Sequence, residues 1–309
     1  MAIARSVFLR ASKSRWLAER FMRRPFARRA VKRFMPGEEL SDALAAAKTL
    51  SKGRIGSVIT RLGEALTGES QADGVRDHYL AAYDEIRRLA LPAVISVKPT
   101  QLGIDLSLDG CARHLEALAE KATATGNQLW IDMEDSSYVD RTLSLYKALK
   151  EKYRPVGLCL QAYLRRTPQD LESLMPLRPW IRLVKGAYAE PPHIALPAKK
   201  DVDQQYVALS ETLLAAAAAD GAFPVFGTHD MDIVRHVITR AARLNVTSGG
   251  YEIHMLYGIR SGEQRALADE GRAVRCLISY GDKWFPWYMR RLAERPANAW
   301  FVVRSAFMR

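Results

Sequence analysis

From residue 93 onward the chain alternates short apolar runs with amphipathic stretches, and this alternation restricts its fold more than any other feature. The runs Ala93–Lys98, Gln128–Glu134, Val156–Ala162, Trp180–Val184, Pro224–Thr228, Tyr251–Leu256, Arg272–Ile278 and Trp300–Val303 have the length of buried strands. Between them, apolar residues at helical spacing predict helices near 109–124, 139–152, 169–175, 204–219, 231–244, 263–270 and 284–294. Strands joined through helices pair in parallel, because such a crossover returns the chain to the same end of the sheet. Eight such units predict an α/β fold closed as a (β/α)8 barrel. An open dinucleotide-binding sheet is disfavoured, because no Gly-x-Gly-x-x-Gly follows a strand.

Residues before 93 read as helical, over Leu40–Leu50 with Ser41 as cap candidate, then about 55–66 and about 71–89. The chain is therefore expected to divide into a basic arm (1–35), a helical accessory region (36–92) and the barrel (93–309). A hydrophobic content of 48% with 19 Gly and 14 Pro excludes disordered and fibrous classes. Cys111, Cys159 and Cys276 lie far apart with no metal-ligand spacing, and read as reduced core thiols of a cytoplasmic protein.

The net charge of +12 is concentrated in the arm, where eleven Lys and Arg face a single acid, Glu19. Apolar residues such as Phe8, Trp16, Leu17 and Phe21 interleave with these cations, the pattern of a basic amphipathic helix. That pattern suits peripheral contact with an anionic membrane surface, a partner contact, or a solvated arm. No apolar run approaches the ~18 residues needed to span a bilayer. No basic stripe continues into the rest of the chain, so nucleic acid is not an expected partner.

Barrel enzymes carry their reactive groups at the carboxyl ends of strands. Those ends here hold Lys98, Asp132, Glu134, Gln161, Arg182, Thr228 and His229. Arg182 interrupts an apolar strand, where a guanidinium needs an anion beside it. A period of two puts Asp132 and Glu134 on one strand face and Ile131 and Met133 on the other. Farther on, Arg290 and Arg291 either converge on a carboxylate or lie on a solvated face, where Arg290 and Glu294 have the spacing of a surface pair.

The segments Arg182–Tyr188 (RLVKGAY), Ile131–Glu134 (IDME), Gly227–Asp230 (GTHD), Met255–Arg260 (MLYGIR) and Arg290–Asn298 (RRLAERPAN) resemble the proline dehydrogenase family. Arg33–Leu40 (RFMPGEEL) extends the likeness, which covers about residues 30–305. The resemblance implies a distorted TIM-like barrel with its last helix over the mouth. It further implies FAD-dependent oxidation of L-proline to 1-pyrroline-5-carboxylate, the first step of proline catabolism, with electrons passed to a quinone. By the same resemblance Asp132 and Arg182 are the catalytic pair, and Lys98, Arg290, Arg291, Leu256, Leu277 and Trp287 hold the substrate. Met133, Gln161, Val184, Lys185, Gly186, Ala187, Thr228 and His229 would contact a non-covalent FAD. No metal is implied, and oligomerisation is left open.

Two positions depart from the family pattern. The family shows Tyr-x-Pro before a Gly where this chain has Leu277-Ile278-Ser279 before Tyr280-Gly281, and Trp287 stands where Tyr is common. In relatives both positions line the ring pocket, so the resemblance keeps 4-hydroxyproline or another cyclic imino acid as an alternative substrate. A flavin-free lyase or aldolase using Lys98 or Lys185 as a Schiff-base amine is the competing chemistry.

Overall fold

A computed structural model of the chain describes residues 31–63, 66–219, 221–285 and 288–289. Eight parallel strands close a barrel in sequential order. They are β1 (Gly56–Arg61), β2 (Ala93–Val97), β3 (Leu129–Ile131), β4 (Val156–Gln161), β5 (Trp180–Val184), β6 (Phe223–Gly227), β7 (Glu252–Leu256) and β8 (Val274–Tyr280). The helices are α1 (Leu40–Ser51), α2 (Glu69–Arg88), α3 (Leu108–Ala124), α4 (Val139–Lys152), α5 (Thr167–Leu174), α6 (Lys199–Ala219), α7 (Met231–Arg243) and α8 (Ser261–Asp269).

The strand count matches the sequence expectation, but one member differs. The stretch read as a helix near 55–66 contains β1, which pairs with both β2 and β8 and closes the barrel. Its inner four residues, Ser57-Val58-Ile59-Thr60, are buried on both faces, so no polar alternation marks it as a strand. A short apolar run buried on both faces cannot be told from a helix by periodicity. The three β-branched residues were the better guide. The run read as the seventh strand is β8, and Trp300–Val303, read as the eighth, lies outside the described residues. At α1 the cap is Glu39 rather than Ser41, with Asp42 Oδ2 accepting the Glu39 N–H at 3.1 Å.

Side chains alternate between two layers. Val58, Val94, Trp130 and Val225 form an inner cluster, with Trp180, Phe223 and Leu277 packed against it. Their neighbours Ile59, Ile95, Ile131, Leu183, Phe226 and Ile278 join the outer core under the helices. The Trp130 indole fits inside the barrel because its register partner is Gly157, where a Cβ would stand 2.5 Å from the ring. Val31, Phe34 and Met35 are buried, so the end of the basic stretch packs on the barrel. It lies against the loop after β7, where Gly258 has φ +73° and a Cβ would meet the Arg33 carbonyl at 1.7 Å. Among the described residues no helix is long and apolar enough to cross a membrane.

Candidate active site

Near the carboxyl ends of β2 and β3 and in the middle of β5, three polar side chains interlock. Asp132 Oδ1 accepts from Ser96 Oγ at 2.9 Å and from Arg182 Nη2, which also donates to Ser96 Oγ at 2.9 Å. The Asp132 N–H donates to the Val97 carbonyl at 2.8 Å, which fixes the carboxylate one residue beyond β3. Arg182 is 2% exposed and lies over the Trp130 ring, with Cζ 5.4 Å from the centroid. Its charge is tolerated there because Asp132 neutralises it and an aromatic face supports it. Nη1 has no hydrogen-bond partner.

The carboxylates of the IDME segment have separate tasks. Glu134 accepts from the Thr100 N–H at 3.0 Å and Thr100 Oγ1 at 2.7 Å, so it anchors the Pro99–Leu102 turn that follows the buried Lys98. The Met133 side chain belongs to the outer core cluster. Gln161 donates from Nε2 to the Met133 and Glu134 carbonyls, both at 3.2 Å, while its buried Oε1 has no partner.

Beyond β5, the Val184 and Lys185 carbonyls accept from the Ala162 and Tyr163 N–H groups at 2.7 and 2.9 Å. Gly186 follows with φ +115°, and a Cβ there would stand 2.1 Å from Tyr163 Cδ1. Lys185 Nζ is held between Asp203 Oδ1 at 2.5 Å and Asp230 Oδ2 at 2.9 Å, and Lys199 joins the same two carboxylates. Burial alone would raise both carboxyls, but the hydrogen bonds and charges of Lys185 and Lys199 together outweigh it and hold them below their ordinary range. The Asp230 N–H donates to Thr228 Oγ1 at 3.1 Å. His229 Nε2 accepts the Leu256 N–H at 2.9 Å, so the ring is neutral in that bond and its proton sits on Nδ1. Leu256 and Leu277 are register partners, half-buried. Lys98, Asp132, Gln161, Arg182 and the 184–187 segment thus converge on the carboxyl ends of adjacent strands. Arg290, Arg291 and Trp287 lie outside the described residues.

Sequence reasoning missed a second polar tier inside the barrel. Glu252 accepts from Arg275 Nε at 2.9 and 2.8 Å and from His254 Nε2 at 2.8 Å. The alternation Glu252-Ile253-His254 inside an apolar strand was its available signal. Burial, more than the partially offsetting Glu252 carboxylate, pushes His254 down to about 4. Glu252 is also held low: burial would raise it, but bonds from His254 and Arg275 prevail. The unfolded chain therefore binds a proton at His254 between pH 6.5 and 4 that the folded one excludes, so stability falls as pH falls through that window. Glu252 acts in the same sense at the lower end. The expected loss from His254 is on the order of 3 kcal/mol between pH 7 and pH 4. Denaturant unfolding across that range checks it, and a His254→Gln variant should show a shallower slope.

Among the described residues no group of three His, Cys, Asp or Glu has the arrangement of a metal site. All three cysteines are free and buried, and burial pushes the Cys111 and Cys276 thiols up to about 12.

Comparison with known proteins agrees with this geometry. The family model described as proline dehydrogenase matches residues 43–304. Proline dehydrogenase 1 of Bacillus subtilis (strain 168) is 35% identical, over 97% of this chain and 98% of its own length. The proline dehydrogenase of Deinococcus radiodurans is 34% identical over 89% of each chain. Among solved structures, proline utilization A (PutA) from Bdellovibrio bacteriovorus superposes with a TM-score of 0.81 at 23% identity. It covers 91% of this chain, which spans 34% of that longer protein. PutA from Bradyrhizobium japonicum gives a TM-score of 0.74 at 26% identity, with this chain spanning 32% of it. A match over most of the chain shows that the chain belongs to the proline dehydrogenase family, whose members are generally flavin-dependent.

Proposed function

We propose that this chain oxidises L-proline to 1-pyrroline-5-carboxylate with a non-covalent FAD at the barrel mouth. The observation that carries the reading is Arg182, a guanidinium 2% exposed in the middle of β5 with Nη1 unpartnered. Such a cation is prepared for negative charge that develops in the site. The residues fit a flavin. The unpartnered Gln161 Oε1 offers an acceptor, and Gly186 admits close backbone approach, with His229 beside them at the end of β6. Val184, Lys185, Ala187, Thr228 and the Met133 backbone complete the proposed cofactor set. When bound, FAD supplies the hydride acceptor.

The chain's own residues bind and orient. Lys98, with Arg290 and Arg291, is assigned to the substrate carboxylate, where a guanidinium fork and a point charge complement each other. Leu256 and Leu277 present apolar surface to the ring, and Asp132 holds Arg182 in place. Steady-state turnover of L-proline with a quinone acceptor, with the cyclic imine trapped as product, tests the reading. Borohydride trapping of a carbonyl substrate on a lysine, in protein lacking flavin, would instead support the lyase. Against the lyase, Lys185 is engaged by two carboxylates, whereas a Schiff-base lysine needs a neutral, available amine.

One observation favours a substituted ring. Ser279 Oγ is buried, 1% exposed, with no partner, two residues beyond Leu277 on the inner face. Its register partner is the buried Thr60. A ring hydroxyl would satisfy an orphaned Ser279. Ser279→Ala should lower the 4-hydroxyproline-to-proline ratio of kcat/KM by about tenfold, and an unchanged ratio removes this reading.

The basic arm is assigned to peripheral contact with an anionic membrane that carries the quinone. Cosedimentation with anionic vesicles should fall sharply on removal of residues 1–30, which leaves the buried Val31, Phe34 and Met35 in place, and equal binding discards the assignment.

A further inference from the structure

Two buried polar atoms inside the barrel lack partners and have opposite needs. Arg182 spends Nη2 on Asp132 and Ser96, and its Nη1 has no acceptor. His254 spends Nε2 on Glu252 at 2.8 Å, and its Nδ1 has no partner. Because a carboxylate faces Nε2, the ring proton sits there and Nδ1 is a bare lone pair. Glu252 is kept ionised in this role by Arg275, which donates to both of its oxygens. Arg182 thus carries an orphaned donor and His254 an orphaned acceptor, on side chains 3% and 2% exposed.

Both side chains rest on one indole. Arg182 Cζ stands 5.4 Å from the Trp130 ring centroid, and the His254 ring meets that indole edge-on at 6.0 Å and 68°. The strand between them, β6, pairs Val225 with Arg182 and Gly227 with His254. Gly227 places no side chain on the strand between them; a Cβ there would approach Val184 Cγ1 to 2.7 Å and Arg182 Cγ to 3.7 Å. The two groups also sense each other electrostatically, since the Arg182 charge is one of the causes, after burial, that keep His254 neutral.

We propose that His254 is a positioning residue for Arg182, joined to it by a single internal water that accepts from Nη1 and donates to His254 Nδ1. Buried waters sit where polar groups in a small space would otherwise be unsatisfied. Nη1 carries two N–H groups, so anchoring one toward the barrel interior aims the other at the mouth. The inference rests on the reading of Arg182 as the active-site cation. It places the origin of that cation's orientation on β7, a strand that contributes no charge to the mouth itself.

Gln at 254 reproduces both bonds, an amide N–H to Glu252 and an amide oxygen to the water, whereas Leu reproduces neither. In the flavin-loaded protein, His254→Leu should lower kcat for proline by about tenfold, with KM within about twofold, and His254→Gln should recover most of that loss. A high-resolution crystal structure of the wild-type protein should show one water within hydrogen-bonding distance of both Nη1 and Nδ1. In His254→Gln the guanidinium should keep its plane. The proposal is overturned if that density is empty, if His254→Leu turns over at the wild-type rate, or if His254→Gln is as slow as the Leu variant while equally stable. Should His254→Leu fail to fold, the wild-type density and the Gln variant still decide. Should the chain prove not to oxidise proline at all, the crystallographic result stands or falls independently.

Discussion

Arg182→Met is expected to reduce kcat/KM for L-proline by about three orders of magnitude, and to destabilise the protein as well. Met keeps most of the aliphatic stem and its packing on Trp130 but removes the cation. Loss of a preorganised electrostatic group typically costs 10²–10³ in rate, roughly, and the missing partner of Asp132 adds disorder at the same point. Removing one member of a buried pair costs about 3–5 kcal/mol, because the other charge stays buried alone. Asp132 keeps Ser96 and has 19% of its side chain exposed, so the lower end of that range applies. The double variant Asp132→Asn/Arg182→Met separates the two effects. It should regain much of the stability, since no uncompensated charge remains, and none of the activity. Urea unfolding together with steady-state rates provides both readouts. Activity within tenfold of wild type in Arg182→Met would remove this residue from the centre of the account.

Gly186→Ala is expected to release flavin from the purified protein and to lower stability by about 2–4 kcal/mol. Two costs add at this position. The φ of +115° lies where residues with a Cβ are strained, and the new methyl would stand 2.1 Å from Tyr163 Cδ1. Tyr163 cannot simply withdraw: it is 7% exposed and its N–H is bonded to the Lys185 carbonyl at 2.9 Å. The 184–187 segment must therefore move, and it is the segment assigned to the cofactor. Flavin content per chain and the thermal midpoint measure the two effects. Gly157→Ala is the matched control, because its methyl would collide with the Trp130 ring at 2.5 Å. That variant should lose stability while retaining more flavin than Gly186→Ala.

The barrel was legible because seven of its strands alternate with helices in an unbroken rhythm, and a parallel sheet covered on both faces writes itself as apolar runs. The exception, β1, lies among helices, and its four inner residues carry no polar alternation, so only β-branching distinguished it. The mouth was legible where a charge interrupts such a run, as Arg182 does. What the pattern could not supply was direction. Glu134 shares a strand face with Asp132 by period, yet it lies beyond the end of β3 and its carboxylate is taken up by Thr100. Lys185 is engaged by Asp203 and Asp230, which arrive from α6 and from the cap of α7, 18 and 45 residues onward. The Glu252–His254–Arg275 tier was less legible because its residues lie at the start and middle of β7 and near the start of β8, away from the carboxyl ends where barrel enzymes carry their reactive groups.

The central claim is that the barrel mouth holds an oxidised flavin within reach of a bound cyclic imino acid. Anaerobic addition of L-proline to the purified, FAD-loaded protein tests it most directly, by the visible absorption of the flavin. The account predicts bleaching of that band by L-proline in the wild-type protein and its persistence in an Arg182→Met variant that still binds FAD. A wild-type protein that binds no FAD on reconstitution, or whose bound flavin is bleached by dithionite but by neither proline nor 4-hydroxyproline, would contradict it.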